Sequence, residues 1–234
     1  MSAGIAKSRA VLQSYWLWLK EKSRHPELLR QRLDYQAYLL AAAGFIASLF
    51  LGLVDLSTYK SIETRQQEDV QATLSQVLPE TLYDNKLLES VVSIPGSGPA
   101  RPVQVYVARK NGQFSGAAFR YTATGGYSGV IGLMIGVSAK NEILGVRVIN
   151  HAETPGLGDK IELQKSSWIL SFNGRTLENT TRSQWGVRKD GGDFDQFAGA
   201  TITPRAVVRG VHSGLEFFEK YKPMLDAEPA PPPQ

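Results

Sequence analysis

The chain has no cysteine among its 234 residues and only three histidines. The first absence excludes a disulfide framework, a thiolate zinc site, an iron–sulfur cluster and a cysteine nucleophile together. His25, His151 and His212 are scattered, which argues against a histidine-rich metal site. Excess charge is also scarce. The chain sets 26 Lys and Arg against 22 Asp and Glu, and net +4 is too mild to indicate nucleic acid. At 42% apolar and 21% charged, the composition is that of ordinary globular material. A redox role would therefore need an organic cofactor, and a metal role would need oxygen ligands.

What is present is one long apolar run. Ala37 to Val54 reads AYLLAAAGFIASLFLGLV, 18 residues without a charge, and Tyr35 and Gln36 extend it upstream. At 1.5 Å of rise per residue, about 20 helical residues cross a hydrocarbon core of about 30 Å. A buried core helix fits less well, because the run is apolar on every side. A cleaved signal peptide fits less well because the apolar region is long and begins only near residue 35. A transmembrane helix over residues 35–56 is expected. Lys7, Arg9, Lys20, Lys22, Arg24, Arg30 and Arg32 precede it, whereas Lys60 and Arg65 alone follow within the next 20 residues. The positive-inside rule then places the N-terminus in the cytoplasm and the rest across the membrane, which in a bacterium is the periplasm. Tyr35, Tyr38 and Tyr59 suit the headgroup zones.

Residues 1–34 form a basic cytoplasmic arm. Within it Val11, Leu12, Tyr15, Trp16 and Leu19 recur at helical spacing, as an interfacial or docking helix would, or as a frayed arm. Residues 57–222 form one α+β domain of β-hairpins packed with helices. A polar helix is expected over Ser57 to Leu78, stopping before Pro79. Val103, Val105 and Val107 alternate with polar positions, and Asn111-Gly112 marks a hairpin turn before Phe114 to Tyr121. Gly129 to Val137 and Ile143 to Asn150 form a second pair around Lys140-Asn141. Ser166-Ser167 caps a short helix. A last helix begins near Thr203-Pro204, with Thr203 as its cap, and runs to about Tyr221. Residues 223–234 read as a proline-rich disordered tail.

Two stretches carry chemistry. His151-Ala-Glu-Thr-Pro-Gly-Leu-Gly-Asp-Lys-Ile161 follows an apolar strand, and its glycines let backbone approach a flat ligand closely. Taken alone it reads more readily as a surface turn with a few capping polar groups. Asp193-Phe-Asp-Gln-Phe-Ala-Gly-Ala-Thr-Ile-Thr-Pro-Arg205 places small residues around the Thr201 hydroxyl, ahead of a helix N-terminus suited to phosphate. The alternative is that Thr201 and Thr203 merely compete to cap that helix. The residues alone leave this open.

Asp195-x-x-Ala198-Gly199-Ala200-Thr201 resembles the acceptor motif of covalent-flavin proteins, in which a flavin transferase joins FMN to the threonine through a phosphoester. The surroundings extend the likeness. His151 to Glu162, Lys189-Asp-Gly-Gly-Asp-Phe-Asp-Gln-Phe197, Thr201 to Val208, Gly126-Tyr-Ser-Gly129 and Leu82-Tyr-Asp-Asn85 together resemble the G subunit of the bacterial Rnf (Rsx) electron-transport complexes. The likeness covers about residues 37–222. The C subunit of the sodium-pumping quinone reductase is a relative, but Asp190-Gly-Gly-Asp-Phe-Asp195 favours the Rnf member. This resemblance implies an inner-membrane, single-pass subunit that passes electrons through covalent FMN, within a complex linking ferredoxin and NAD(H) to ion movement. Thr201 is then the flavinylated position, and Asp195, Gly199 and Ala200 complete the acceptor motif. Thr203 lies beside them. Glu153, Thr154, Gly156 and Leu157 would border the isoalloxazine ring, with Tyr127 and Ser128 on its other side. The implied partners are the other Rnf subunits, notably a second covalent-FMN membrane subunit, together with the flavin transferase and the lipid membrane. Ala198 departs from the commoner Ser or Thr, and the cytoplasmic arm is longer than expected for this family. Arg205 and Lys160 are candidates to balance the phosphate. Three other classes compete: a membrane-anchored FMN-dependent reductase, a scaffold without cofactor, and an FMN-binding sensor. A reductase needs a proton donor over the ring, for which only the His151 loop offers itself. A scaffold leaves the Asp195–Thr201 motif without purpose. The arm is too short to hold a regulatory domain.

Overall fold

A computed structural model describes residues 33–95 and 102–227. The expected interfacial helix around Val11 to Leu19 lies outside these residues, as does the proline-rich run from Pro229. Helix α1 runs from Leu33 to Val77. The apolar span and the polar stretch expected as a separate helix are therefore one element. Nothing between them breaks a helix: no proline occurs from Leu33 to Leu78, and Gln, Glu, Lys and Arg are good helix formers. Pro79 ends it.

By contact the chain divides into a unit up to Arg65 and another from Gln66 onward. In the first, Tyr35–Asp55 is a 21-residue segment of mean hydropathy 2.2, none of it buried. It is long and apolar enough to cross a membrane.

The second unit is built on a five-stranded antiparallel meander, β1 (Val91–Ile94), β2 (Val103–Lys110), β3 (Gln113–Ala123), β4 (Ile131–Ser138) and β5 (Ile143–Asn150), in that spatial order. Both expected hairpins are present. Asn111 and Gly112 have φ of 53° and 79°, the doubly left-handed backbone that a two-residue hairpin turn requires. β1 was not expected from the sequence. The structure adds it as an edge strand paired with β2.

Both faces of the sheet are covered, which is why its central strands are buried almost without interruption. Val105, Val107, Phe119, Leu133 and Ile135 join one core with helix α2 (Ile202–Asp226), represented by Val207, Val211, Leu215 and Phe218. The intervening residues Tyr106, Ala108, Ala118 and Met134 join a second core with Leu74, Val77 and Leu78. This follows the two-residue period of a strand. Helix α2 begins at Ile202, two residues earlier than expected, and continues through Pro223 to Asp226, so the first four residues expected in the tail belong to it. Between β5 and α2 regular structure is limited to three-residue or six-residue 3-10 turns, held by aromatic packing. Phe172 stacks on Phe194 at 4.6 Å, Trp185 on Phe194 at 5.6 Å, and Trp168 meets Phe197 edge-on at 5.2 Å. Ser166 caps the turn Ser167–Phe172, accepting from the Trp168 N–H. This aromatic nucleus fixes the segment that leads into α2.

Candidate functional site

Two tight turns build the site. In Thr154-Pro155-Gly156-Leu157 the Leu157 N–H donates to the Thr154 carbonyl at 3.2 Å, and Gly156 has φ of +78°. In Phe197-Ala198-Gly199-Ala200 the Ala200 N–H donates to the Phe197 carbonyl at 3.1 Å, and Gly199 has φ of +81°. Positive φ at the third position is the signature of a type II turn, and glycine takes it without strain. The turns meet. A Cβ on Gly199 would stand 3.4 Å from Leu157 Cδ2. Two segments more than 40 residues apart in sequence thus share one edge of the domain.

A third segment is tied to them through Glu153, which is 5% exposed. Its Oε1 accepts from the Ser128 N–H at 3.1 Å, and its Oε2 accepts from the Thr203 hydroxyl. The structure thereby gathers Ser128, Glu153, Leu157, Gly199 and Thr203. Around them Tyr127, Val130, Leu157 and Ile202 leave apolar side chains exposed. Thr154 and Gly156 are exposed, and Ala200 and Thr201 half-buried, on the same turns.

The two threonines at the head of α2 differ. Thr201 is the N-cap residue, yet its side chain makes no capping hydrogen bond. Thr203, expected as the cap, is instead the second helical residue, buried to 1% exposure, with its hydroxyl committed to Glu153. The cap assignment is corrected accordingly: helical backbone already begins at Ile202, so a cap at Thr203 has no end to close. The N–H groups of Ile202 and Thr203 have no partner within the helix, and Pro204 contributes none.

Charges around the entry to α2 are paired. Asp190 holds Arg205 through Nε at 2.5 Å and Nη2 at 2.6 Å, Asp193 holds Arg175 at 3.0 Å, and Asp195 holds Arg188 at 3.1 Å. Arg205, a candidate to balance phosphate, is therefore already engaged. Asp195 is exposed, and its backbone carbonyl accepts from Trp168 Nε1 at 2.8 Å. Hydrogen bonding to the Arg205 guanidinium holds the Asp190 carboxyl below its ordinary value and raises Arg205. A carboxyl depressed on folding contributes stability above its unfolded pKa, lost as pH falls through the folded value. An NMR titration of Asp190 is expected to show a midpoint below the ordinary carboxylate range, restored upward in Arg205→Gln. Because the pair is solvent-exposed, its effect on stability is small.

His151 is the remaining candidate. Its Nδ1 accepts from the Glu153 N–H at 3.1 Å and its Nε2 lies 2.7 Å from Glu162 Oε1. An accepting Nδ1 leaves the ring proton on Nε2, facing the carboxylate.

An FMN-binding domain family model matches residues 126–216, from the glycine ahead of Ser128 to the third-last turn of α2. Proteins named as the G subunit of an ion-translocating oxidoreductase complex match over most of the chain. The one from Shewanella loihica is 39% identical over 205 residues, covering 86% of this chain and 97% of the relative. That of Stutzerimonas stutzeri is 45% identical over 191 residues, 82% and 83% of the two chains. That of Pseudomonas aeruginosa is 44% identical over 203 residues, 85% and 92% of the two. The chain belongs to the family of these G subunits.

Within this family member the FMN-binding match encloses every site residue named above, while β1, β2 and β3 lie wholly outside it. The residues suit the cofactor. A hydroxyl without a capping bond and N–H groups without a partner in the helix fit a phosphate at the head of α2, and exposed apolar side chains beside two glycine turns fit a flat ring. A Cβ at Gly199 would press on Leu157 at a position where φ already disfavours one. The Glu153 clasp was missed by sequence reasoning, although Gly158 signalled a close approach.

Proposed function

We propose that this G subunit carries electrons through an FMN attached to Thr201 by a phosphoester, within a membrane-bound, ion-translocating ferredoxin:NAD oxidoreductase complex. The observation that carries the reading is the free Thr201 hydroxyl at the head of α2, beside a Thr203 hydroxyl that is not free. In the attachment, a flavin transferase uses a flavin nucleotide activated as a phosphoanhydride. The Thr201 Oγ–P bond forms, the anhydride bond breaks, and the hydroxyl proton departs with the leaving nucleotide. FMN, when bound, accepts and passes on electrons singly. The chain's own residues hold and shield it, with Leu157, Tyr127 and Ile202 offering apolar surface and the Thr154–Leu157 and Phe197–Ala200 turns setting its edges.

The span at Tyr35–Asp55, preceded by the basic arm, supports an inner-membrane anchor with the N-terminus in the cytoplasm and the FMN-binding domain in the periplasm. Residues 1–34, 35–56 and 57–222 then serve as arm, span and FMN domain, with α2 carrying the domain on to Asp226 ahead of the proline-rich tail. The partners are the other subunits of that complex, including a second covalent-FMN membrane subunit, and the maturing flavin transferase. A substrate-reducing flavoenzyme is the weaker reading, because both ring nitrogens of His151 are occupied by Glu153 and Glu162. Intact mass of the chain co-expressed with its transferase is expected to rise by one FMN less one water. An unshifted mass, with the transferase shown active on another acceptor, would sink the covalent reading.

A further inference from the structure

Glu153 is the best-enclosed charged side chain of the site, and the fold makes room for it at two glycines. A Cβ on Gly126 would stand 2.7 Å from Glu153 Oε1 and 2.6 Å from the Gly129 carbonyl oxygen. A Cβ on Gly158 would stand 2.9 Å from Glu153 Cβ, 3.0 Å from its Oε2 and 2.9 Å from Thr203 Oγ1. Neither glycine tolerates a side chain while Glu153 stays where it is. The residue is also held from behind, since its own N–H donates to His151 Nδ1 and His151 reaches Glu162. Its two oxygens then serve two different segments, Ser128 before β4 and Thr203 at the head of α2.

We propose that Glu153 is the positioning residue for flavin attachment: by clasping the Thr203 hydroxyl and the Ser128 N–H, it fixes the first turn of α2 so that Thr201 presents its hydroxyl. The proposal rests on Thr201 as the attachment point. Glu153 acts on that threonine through the helix and touches no reacting atom. Thr203 lies two residues beyond Thr201, so a hydrogen bond that immobilises the one restricts the backbone of the other. Removing either partner leaves a buried polar group unsatisfied and frees that turn.

The test measures the rate of FMN attachment to the full-length chain by its flavin transferase with FAD, read by intact mass, in detergent well below the unfolding temperature of every variant. Glu153→Ala and Thr203→Val are expected to slow attachment at least tenfold. Thr203→Ser, which keeps the hydroxyl, should stay within twofold of the wild type. Glu153→Gln keeps the shape and one acceptor oxygen and should fall between them. A role in stability alone would make the loss follow the unfolding temperature and vanish on cooling, whereas a positioning role leaves it in the fully folded chain. Equal rates for Thr203→Val and Thr203→Ser, or wild-type rates in Glu153→Gln and Glu153→Ala, would overturn the proposal. Thr201→Ala is the separate control. If that variant still takes up one FMN, the attachment reading fails, whatever Glu153 does.

Discussion

Thr201→Ala is expected to abolish covalent FMN while leaving the domain folded. The substitution removes one methyl of a half-buried side chain and a hydroxyl that makes no capping hydrogen bond. A capping threonine costs about 0.5–2 kcal/mol when truncated, so a cap residue without its bond lies at or below the bottom of that range. The structures on either side are independent of it. The Phe197–Ala200 turn is closed by backbone atoms, and Thr203 is held by Glu153. In-gel flavin fluorescence of the denatured chain, together with the far-ultraviolet circular dichroism of the native one, separates the two effects. Loss of fluorescence with an unchanged fold is the expected pair. Undiminished fluorescence would move the attachment point elsewhere, and a collapsed fold would mean that Thr201 has a structural role its contacts do not show.

How far the sequence foretold this site depends on the range of each interaction. The Asn111-Gly112 hairpin and the turn at Gly156 were legible because a left-handed backbone leaves its mark on the residue that occupies it, whereas Gly199 read only as a small residue beside Thr201. The helix start was legible only to within two residues. Thr203-Pro204 carries the composition of a cap and first turn, but Thr201-Ile202 fits nearly as well, and a contact 50 residues away decides between them. That contact, to Glu153, left no local pattern. Gly158 suggested close approach of a flat ligand, whereas the space is taken by Glu153 and Thr203. The second face of the sheet was hidden for a similar reason. Tyr106 and Ala108 read as the outer positions of an alternating strand until the end of α1 covers them. The edge strand Val91–Ile94 is too short to show alternation at all.

That covering of the second face makes Gly136→Ala strongly destabilising. Gly136 on β4 pairs with Gly145 on β5, and the two form a bare patch under the last turn of α1. A Cβ on Gly136 would overlap the Val77 carbonyl oxygen and stand 2.7 Å from its carbonyl carbon. Both are backbone atoms, so no rotamer change relieves the clash. The last turn of α1 must lift, which pulls Leu74, Val77 and Leu78 away from Met134 and Ala118. Overpacking of this kind costs about 1–3 kcal/mol, and backbone against backbone places it near the top. For a domain of 150–250 residues each kcal/mol lowers Tm by about 2–4 °C, giving a fall of about 6–12 °C. Gly145→Ala meets Val77 Cα at 3.0 Å and the Gln76 carbonyl oxygen at 3.1 Å, contacts that a shift of a few tenths of an ångström relieves. It should cost less than half as much. Gly52→Ala, with nothing within 4 Å, should leave Tm unchanged. Thermal unfolding of the three variants in detergent, followed by circular dichroism, gives the ranking directly. If Gly136→Ala unfolds with the wild type, the end of α1 does not rest on β4 and β5, and the second core must be assembled in another way.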